Sequence, residues 1–230
     1  MSKYIRLYIL AVFTCTLFAC KVDELPVKGH EAGSVVTNTV NMESNYKWQI
    51  YYDLKTNTVV GQYIKTTWDL GFECTENGYH IIVNSSKSMF AWNSGDTIFE
   101  NTTDTNGFFK HRTWDEPSGS LDSTAIGDWT KTRAVYVLDR GYNEAGGHMG
   151  YRKIKFLSVD KNKFRIKYAK LDGSDVISVD VYKDSLYNFR FLALSTGTVV
   201  TVEPPKATWD LCFTQYTRVF YNPYETFLVT

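Results

Sequence analysis

The chain has 230 residues with 25 basic and 25 acidic side chains, a formal net charge of zero. That balance disfavours nucleic acid as a partner, because neutralising phosphates needs clustered Lys and Arg. Aromatic residues make up 16% of the chain, and with the frequent β-branched residues they favour strands over helices.

Residues 1–19 read as a signal peptide. Lys3 and Arg6 lead an apolar run from Leu7 to Ala19, broken only by Thr14, Cys15 and Thr16, the layout of a secretory signal. The run is short for a span, which needs about 20 apolar residues. It ends Leu17-Phe18-Ala19-Cys20, which resembles the lipobox of bacterial lipoproteins and implies acylation of Cys20. An ordinary cleaved signal that happens to end beside a cysteine is the simpler alternative. A lipid chain anchors a domain to a membrane without crossing it, each buried methylene contributing roughly 0.8 kcal/mol. Without residues 1–19 the mature chain carries a charge of about −2. No later stretch is long and apolar enough to predict a membrane-spanning helix.

Residues 20–45 form a polar tether that carries His30. Strands are predicted at Trp48 to Leu54 and Val59 to Ile64, joined by the polar turn Lys55-Thr56-Asn57-Thr58. Thr67 to Phe72 and Tyr79 to Val83 follow, with Asn77-Gly78 between them, a dipeptide suited to a tight hairpin because both residues tolerate positive φ. Ser88 to Trp92 is a further short apolar run. Residues 93–131 hold no period and scatter Phe99, Phe108, Phe109, Trp114 and Trp129 among Asn, Thr, Asp, Gly and Ser. A long irregular segment inside a compact domain is usually functional or without fixed structure, and its aromatics predict that part of it covers something.

Regular strands return at Ala134 to Leu138 and, after the Gly-rich stretch 141–150, at Tyr151 to Val159. Lys163 to Tyr168 alternates strictly, with Phe164, Ile166 and Tyr168 on one face and three cations on the other. Ile177, Val179 and Val181 alternate again. An antiparallel meander with one wet face predicts a mainly β class, with no helix of ten residues in the mature chain.

A self-similarity recurs at about 140 residues. Leu54-Lys-Thr-Asn-Thr-Val-Val60 returns as Leu194-Ser-Thr-Gly-Thr-Val-Val200, and Trp68-Asp69-Leu70-Gly71-Phe72 returns as Trp209-Asp210-Leu211-Cys212-Phe213. Tyr51 and Phe191 hold the equivalent place at the front of each copy. Such a spacing points to duplicated domains. The expected organisation is a β domain over 46–184 and, from 185 to 230, the start of a second similar unit in a chain that is a fragment. The alternative is that the last strands complete the first domain's sheet. Trp68, Asp69, Trp209 and Asp210 read as scaffold, a buried Trp beside a turn-capping Asp. Once Cys15 and Cys20 are set aside, Cys74 and Cys212 remain. They fall in separate copies, so two buried free thiols are expected rather than the disulfide an exported protein could form.

Several of these segments together carry a family resemblance. They are the aromatic strand Trp48-Gln49-Ile50-Tyr51-Tyr52, Thr58-Val59-Val60, Trp68-Asp69-Leu70, the strand Arg133-Ala134-Val135-Tyr136-Val137 and the aromatic meander from Tyr151. Over about residues 46–182 the chain resembles the HmuY-like family, haem-binding envelope lipoproteins of Bacteroidota. The resemblance implies capture of haem and its delivery to a TonB-dependent outer-membrane transporter, with lipid-anchored display at the outer membrane and exposure at the cell surface as one option. Asp23-Glu24, soon after the cysteine, suits that address. In the family, two loop side chains, typically histidines and in some members methionines, grip the haem iron. His111, beside Phe108, Phe109 and Trp114, is the positional counterpart of the first ligand. The place of the second reads Gly127-Asp128-Trp129-Thr130-Lys131, without histidine or methionine, which leaves His148, Met149 and Met89 as further candidates.

The sequence has no HExxH, GxSxG, Walker or CxxC pattern, so an enzyme is not expected. Asp104-Thr-Asn106-Gly107 echoes a calcium loop but lacks the glutamate of the twelfth position. Beside the haem reading stands a second, a β-rich surface lipoprotein that binds glycan or protein partners through exposed aromatics without haem.

Overall fold

The computed structural model describes residue 33 and residues 35–230, so the signal segment, Cys20 and His30 lie outside the described residues. Of the described residues 39% are strand and 9% helix, which makes the class mainly β. Among them no helix is long and apolar enough to cross a membrane.

In chain order, β1 (Trp48–Asp53) and β2 (Thr58–Ile64) make one hairpin and β3 (Leu70–Glu73) pairs with β4 (Ile81–Val83). After β5 (Phe90–Asn93) the irregular segment carries two short helices, α1 (Phe108–His111) and α2 (Trp129–Thr132). Then come β6 (Val135–Asp139), β7 (Tyr151–Val159), β8 (Lys163–Ala169) and β9 (Ile177–Tyr182). The chain continues with β10 (Phe189–Ala193), β11 (Thr198–Val200), β12 (Leu211–Phe213), β13 (Tyr216–Tyr221) and β14 (Tyr224–Val229).

Strands β5 to β9 form one antiparallel sheet in sequence order. Its alternation follows the pleat. Phe164, Ile166 and Tyr168 are buried, while Lys163 and Arg165 face the other way and pair with Asp180 at 2.6 and 2.9 Å. The buried face packs on β3, β4 and β10, where Phe72 meets Phe164 edge-on with centroids 5.1 Å apart. Strand β6 is buried along its whole length because both of its faces are covered. Tyr136 and Leu138 enter the main core, whereas Val135 meets Phe99 and Val137 meets Phe90, Phe108 and Val219. Phe99 and Phe108, with Trp114 partly buried against the cluster that holds Phe108, therefore cover part of the sheet's outer face, and each large side chain fully buried there contributes about 1.5–3 kcal/mol.

The segment Asn77-Gly78 does not form the predicted tight turn, since neither residue takes a positive φ. The connection spans residues 74–80 and is held from outside. Lys183 Nζ donates to the carbonyls of Thr75, Glu76 and Gly78 at 3.0, 3.2 and 2.6 Å, satisfying three acceptors that a hairpin turn would have arranged differently.

The repeat folds by exchange. The front hairpin β1–β2 takes as its third strand β12, the Trp-Asp-Leu strand of the second copy, and the later hairpin β10–β11 takes β3, that of the first. The registers match: Tyr51 stands opposite Cys212 as Phe191 stands opposite Gly71. Asp69 N donates to Leu192 O and Asp210 N to Tyr52 O, both at 2.9 Å. The carboxylates answer in kind, Asp69 accepting from Leu194 N at 2.7 Å and Asp210 from Leu54 N at 2.8 Å. Trp68 meets Phe191 edge-on at 4.7 Å, and Trp209 meets Tyr51 at 4.8 Å. The stretch from 185 onward thus does not stand as a separate second unit. Residues 38–230 are one compact unit, because each copy's hairpin presents an open edge that only the other copy's strand fills. Among the described residues Cys74 and Cys212 are free thiols, of which Cys74 is buried. Cys212 lies on the edge strand β12 and is an exposed residue.

Candidate functional site

The cleft with the chemistry of a ligand site opens where β6 ends. Asp139 closes that strand and Gly141 turns the chain at φ +65°, in contact with the backbone of Lys87. A Cβ at Gly141 would lie 1.8 Å from Lys87 O, so no other residue fits without displacement. Tyr142 N donates to the same carbonyl at 2.9 Å, and Asn143 Oδ1 accepts from Ala145 N and Gly147 N to close the loop. Tyr142 and His148 then bridge as an isolated antiparallel pair.

This path brings His148 back over the strand end, with Nε2 2.8 Å from Asp139 Oδ1. A carboxylate only accepts, so Nε2 donates, and in the neutral ring Nδ1 keeps its lone pair. A carboxylate behind one ring nitrogen and an open lone pair on the other is the arrangement that prepares an imidazole for a metal. Asp139 Oδ1 also accepts from Gly141 N at 2.9 Å, which fixes the carboxylate in turn. Tyr142 and Tyr151 flank the ring at centroid distances of 5.4 and 5.3 Å. Burial, and then the charge of Asp139, raise the Tyr151 phenol above its ordinary value and keep it neutral.

The opposite wall comes from β5 and the end of α1. Phe90, Phe109 and Arg112 complete a cleft of about 480 Å³, within the range of small-ligand sites. The Arg112 guanidinium lies 4.2 Å from the centre of the Phe90 ring, and its Nε is buried with no partner among the described residues.

The sequence-predicted ligands divide. His148 lines this cleft. His111 does not, although it sits on α1 between Phe109 and Arg112. Its side chain turns toward Gly107, with Cδ2 3.8 Å from where a Cβ there would stand, and the residue is exposed. Met149 is half-buried behind the loop and Met89 is fully buried in the main core, which takes its thioether away from any opening. At 127–131 the core claims Trp129, whose Nε1 donates to Tyr79 O at 2.8 Å. His80 is engaged by Glu73 at 2.6 Å. Asp139 and Arg112 are the site residues that sequence reasoning missed. Among the described residues no group of three His, Cys, Asp or Glu side chains stands ready for a bare metal ion.

The antiparallel β scaffold thus carries an aromatic cleft lined by one carboxylate-backed histidine and one arginine. A family model described as HmuY protein matches residues 45–187. The chain belongs to the HmuY family. No curated protein and no solved structure matches it.

Proposed function

We propose that this protein captures haem in the cleft at the end of β6, with His148 Nδ1 as the axial ligand. Membership of the HmuY family supports the cargo. The observation that carries the choice of ligand is the Asp139–His148 pair at 2.8 Å, lying in a cleft that His148 lines. Phe90, Phe109 and Tyr151 supply apolar surface for a porphyrin. The unpartnered Arg112 Nε suits one of the two carboxylates that haem carries, a charge-assisted hydrogen bond that a neutral donor would not match. Asp139 holds the imidazole ring and its tautomer, and Arg112 fixes which edge of the macrocycle points out. The lining holds no second histidine or methionine, so His148 alone of these side chains would hold the iron, an arrangement that suits handing cargo on.

In this reading Cys20 is the acylated anchor at the outer membrane, the tether holds the β unit off the surface, and the recipient of the haem is an outer-membrane transporter. Capture without covalent change makes the protein a carrier and not an enzyme. The second reading, a haem-free surface module, draws support from the exposed aromatics Phe220, Tyr221, Tyr224 and Phe227 on β13 and β14.

Titrating haemin into the protein from residue 21 onward separates the two. The haem reading expects a sharpened, shifted Soret band that saturates at one equivalent. A spectrum that stays that of free haemin contradicts it.

A further inference from the structure

A second cavity, of about 370 Å³, lies where the two copies of the repeat meet, and its walls differ in kind from those of the haem cleft. Both motif tryptophans, Trp68 and Trp209, line it together with their edge-on partners Phe191 and Tyr51. Three acids face the same space: Asp115, Glu116 and Glu203. No Lys, Arg or His is among the lining residues. Gln215 of the lining accepts from the Lys65 ammonium.

Two of those acids are held without a counter-ion. Asp115 accepts from Ala125 N at 2.7 Å and Val83 N at 2.8 Å, and Glu203 accepts from Asn188 Nδ2 at 2.7 Å and from the backbone N–H groups of Asn188 and Phe189 at 3.2 Å. Neither makes an ion pair among the described residues, in contrast to the buried Asp69, which has two cations. Burial pushes the Asp115 carboxyl up to about 7 and raises that of Glu203 as well, the response of buried acids that lack an opposite charge. Thr214 Oγ1, also on the cavity wall, is buried with no partner among the described residues and has lone pairs to offer.

We propose that this cavity binds an organic cation, an ammonium group carried on an apolar body. The ammonium would supply the charge that Asp115 and Glu203 lack, and the faces of Trp68, Trp209 and Tyr51 attract cations through their ring quadrupoles. The apolar body would fill the space between Phe189, Phe191 and Ile82. The same acids repel the carboxylates of haem, so the two cavities of this chain sort their ligands by charge. The site is independent of the haem reading.

Three probes of one shape test it: phenethylammonium, its neutral counterpart phenethyl alcohol and the anion 3-phenylpropionate. Each is titrated into the full β unit with Trp68 and Trp209 as fluorescent reporters and calorimetry as the second readout. The cation is expected to bind at least about tenfold tighter than the alcohol, and the anion most weakly. Glu203→Gln should erase the preference for the cation. Should that variant fail to fold, Glu116→Gln at the exposed rim, which holds no backbone group with its side chain, should reduce the preference severalfold. Equal affinity for the three probes, preference for the anion, absence of cation binding at millimolar concentration, or an unchanged preference in every folded variant each overturns the proposal. Haemin should not compete with phenethylammonium, and competition would likewise overturn the assignment of separate cavities.

Discussion

The two copies of the Trp-Asp-Leu motif make the same local bonds and live in different surroundings. Around Trp68-Asp69 the chain is closed. Asp69 is 1% exposed and takes Lys87 Nζ at 2.5 Å and Arg140 Nε and Nη2 at 3.1 Å, besides the Leu194 amide. Around Trp209-Asp210 it is open, and Asp210 is an exposed residue whose side chain serves the Leu54 amide alone. The motif therefore specifies a connection, one strand clipped to the other copy's hairpin. How much that connection weighs is decided by whether a second sheet lies over it. The first copy is covered by β5 to β9, whereas the second is not.

Cutting the exchange should have the largest effect. A chain stopped at residue 187, where the family match ends, leaves β1 and β3 as open edges, and its circular dichroism and thermal melt should show no cooperative unit. A cooperative melt near that of the full chain would show that the copies do not depend on each other.

Next comes Asp69→Ala, which leaves Lys87 and Arg140 buried without their counter-charge and should cost about 3–5 kcal/mol in urea unfolding. The pH dependence sharpens the point. Burial pushes the Asp69 carboxyl up, but the Lys87 ammonium and Arg140 guanidinium beside it more than reverse this and hold it below the ordinary carboxylate range. A carboxylate with a depressed folded value contributes stability above its unfolded value, about 3.9, and loses it as pH falls through the folded one. Asp69→Asn should therefore be far less stable than the parent at pH 7, with the gap closing below about pH 4. A gap independent of pH would contradict the ion-pair account.

The tryptophans should follow the same asymmetry. Trp68→Ala removes a side chain buried against Phe191 and Val202 and should cost about 3–5 kcal/mol. Trp209→Ala, at a half-buried position, should cost clearly less. The smallest effect is expected for Asp210→Ala, about 1 kcal/mol for one exposed side-chain-to-backbone hydrogen bond. If Asp210→Ala matched Asp69→Ala, burial would not be what separates the copies.

Most strands were legible in the sequence because alternation of apolar and polar residues is a local signal. Lys163 to Tyr168 is the clearest case, and its face assignment follows from the pleat alone. The repeat was legible too, but its pairing was not. The same residues serve for β3 beside β1 or β3 beside β10, and only the long-range bonds to Leu194 and Leu54 choose between them. Asn77-Gly78 misled for a related reason, since Lys183, more than 100 residues later, captures the carbonyls of that loop. At the candidate site His148 stood out as a histidine in a Gly-rich loop. Its partner Asp139 did not, because their meeting depends on the close approach of Gly141 to Lys87 and on no spacing that a pattern records. His111 ranked first by position among aromatics, yet α1 turns Phe109 and Arg112 to the cleft and His111 away from it.

That last contrast is open to one direct measurement. Haemin binding is followed at the Soret band in His148→Ala and His111→Ala side by side with the parent protein. Loss of the shifted band and a weakened affinity in His148→Ala, with His111→Ala indistinguishable from the parent, is the result predicted by the Asp139–His148 geometry. A parental spectrum in His148→Ala, or loss of the band in His111→Ala instead, would contradict it.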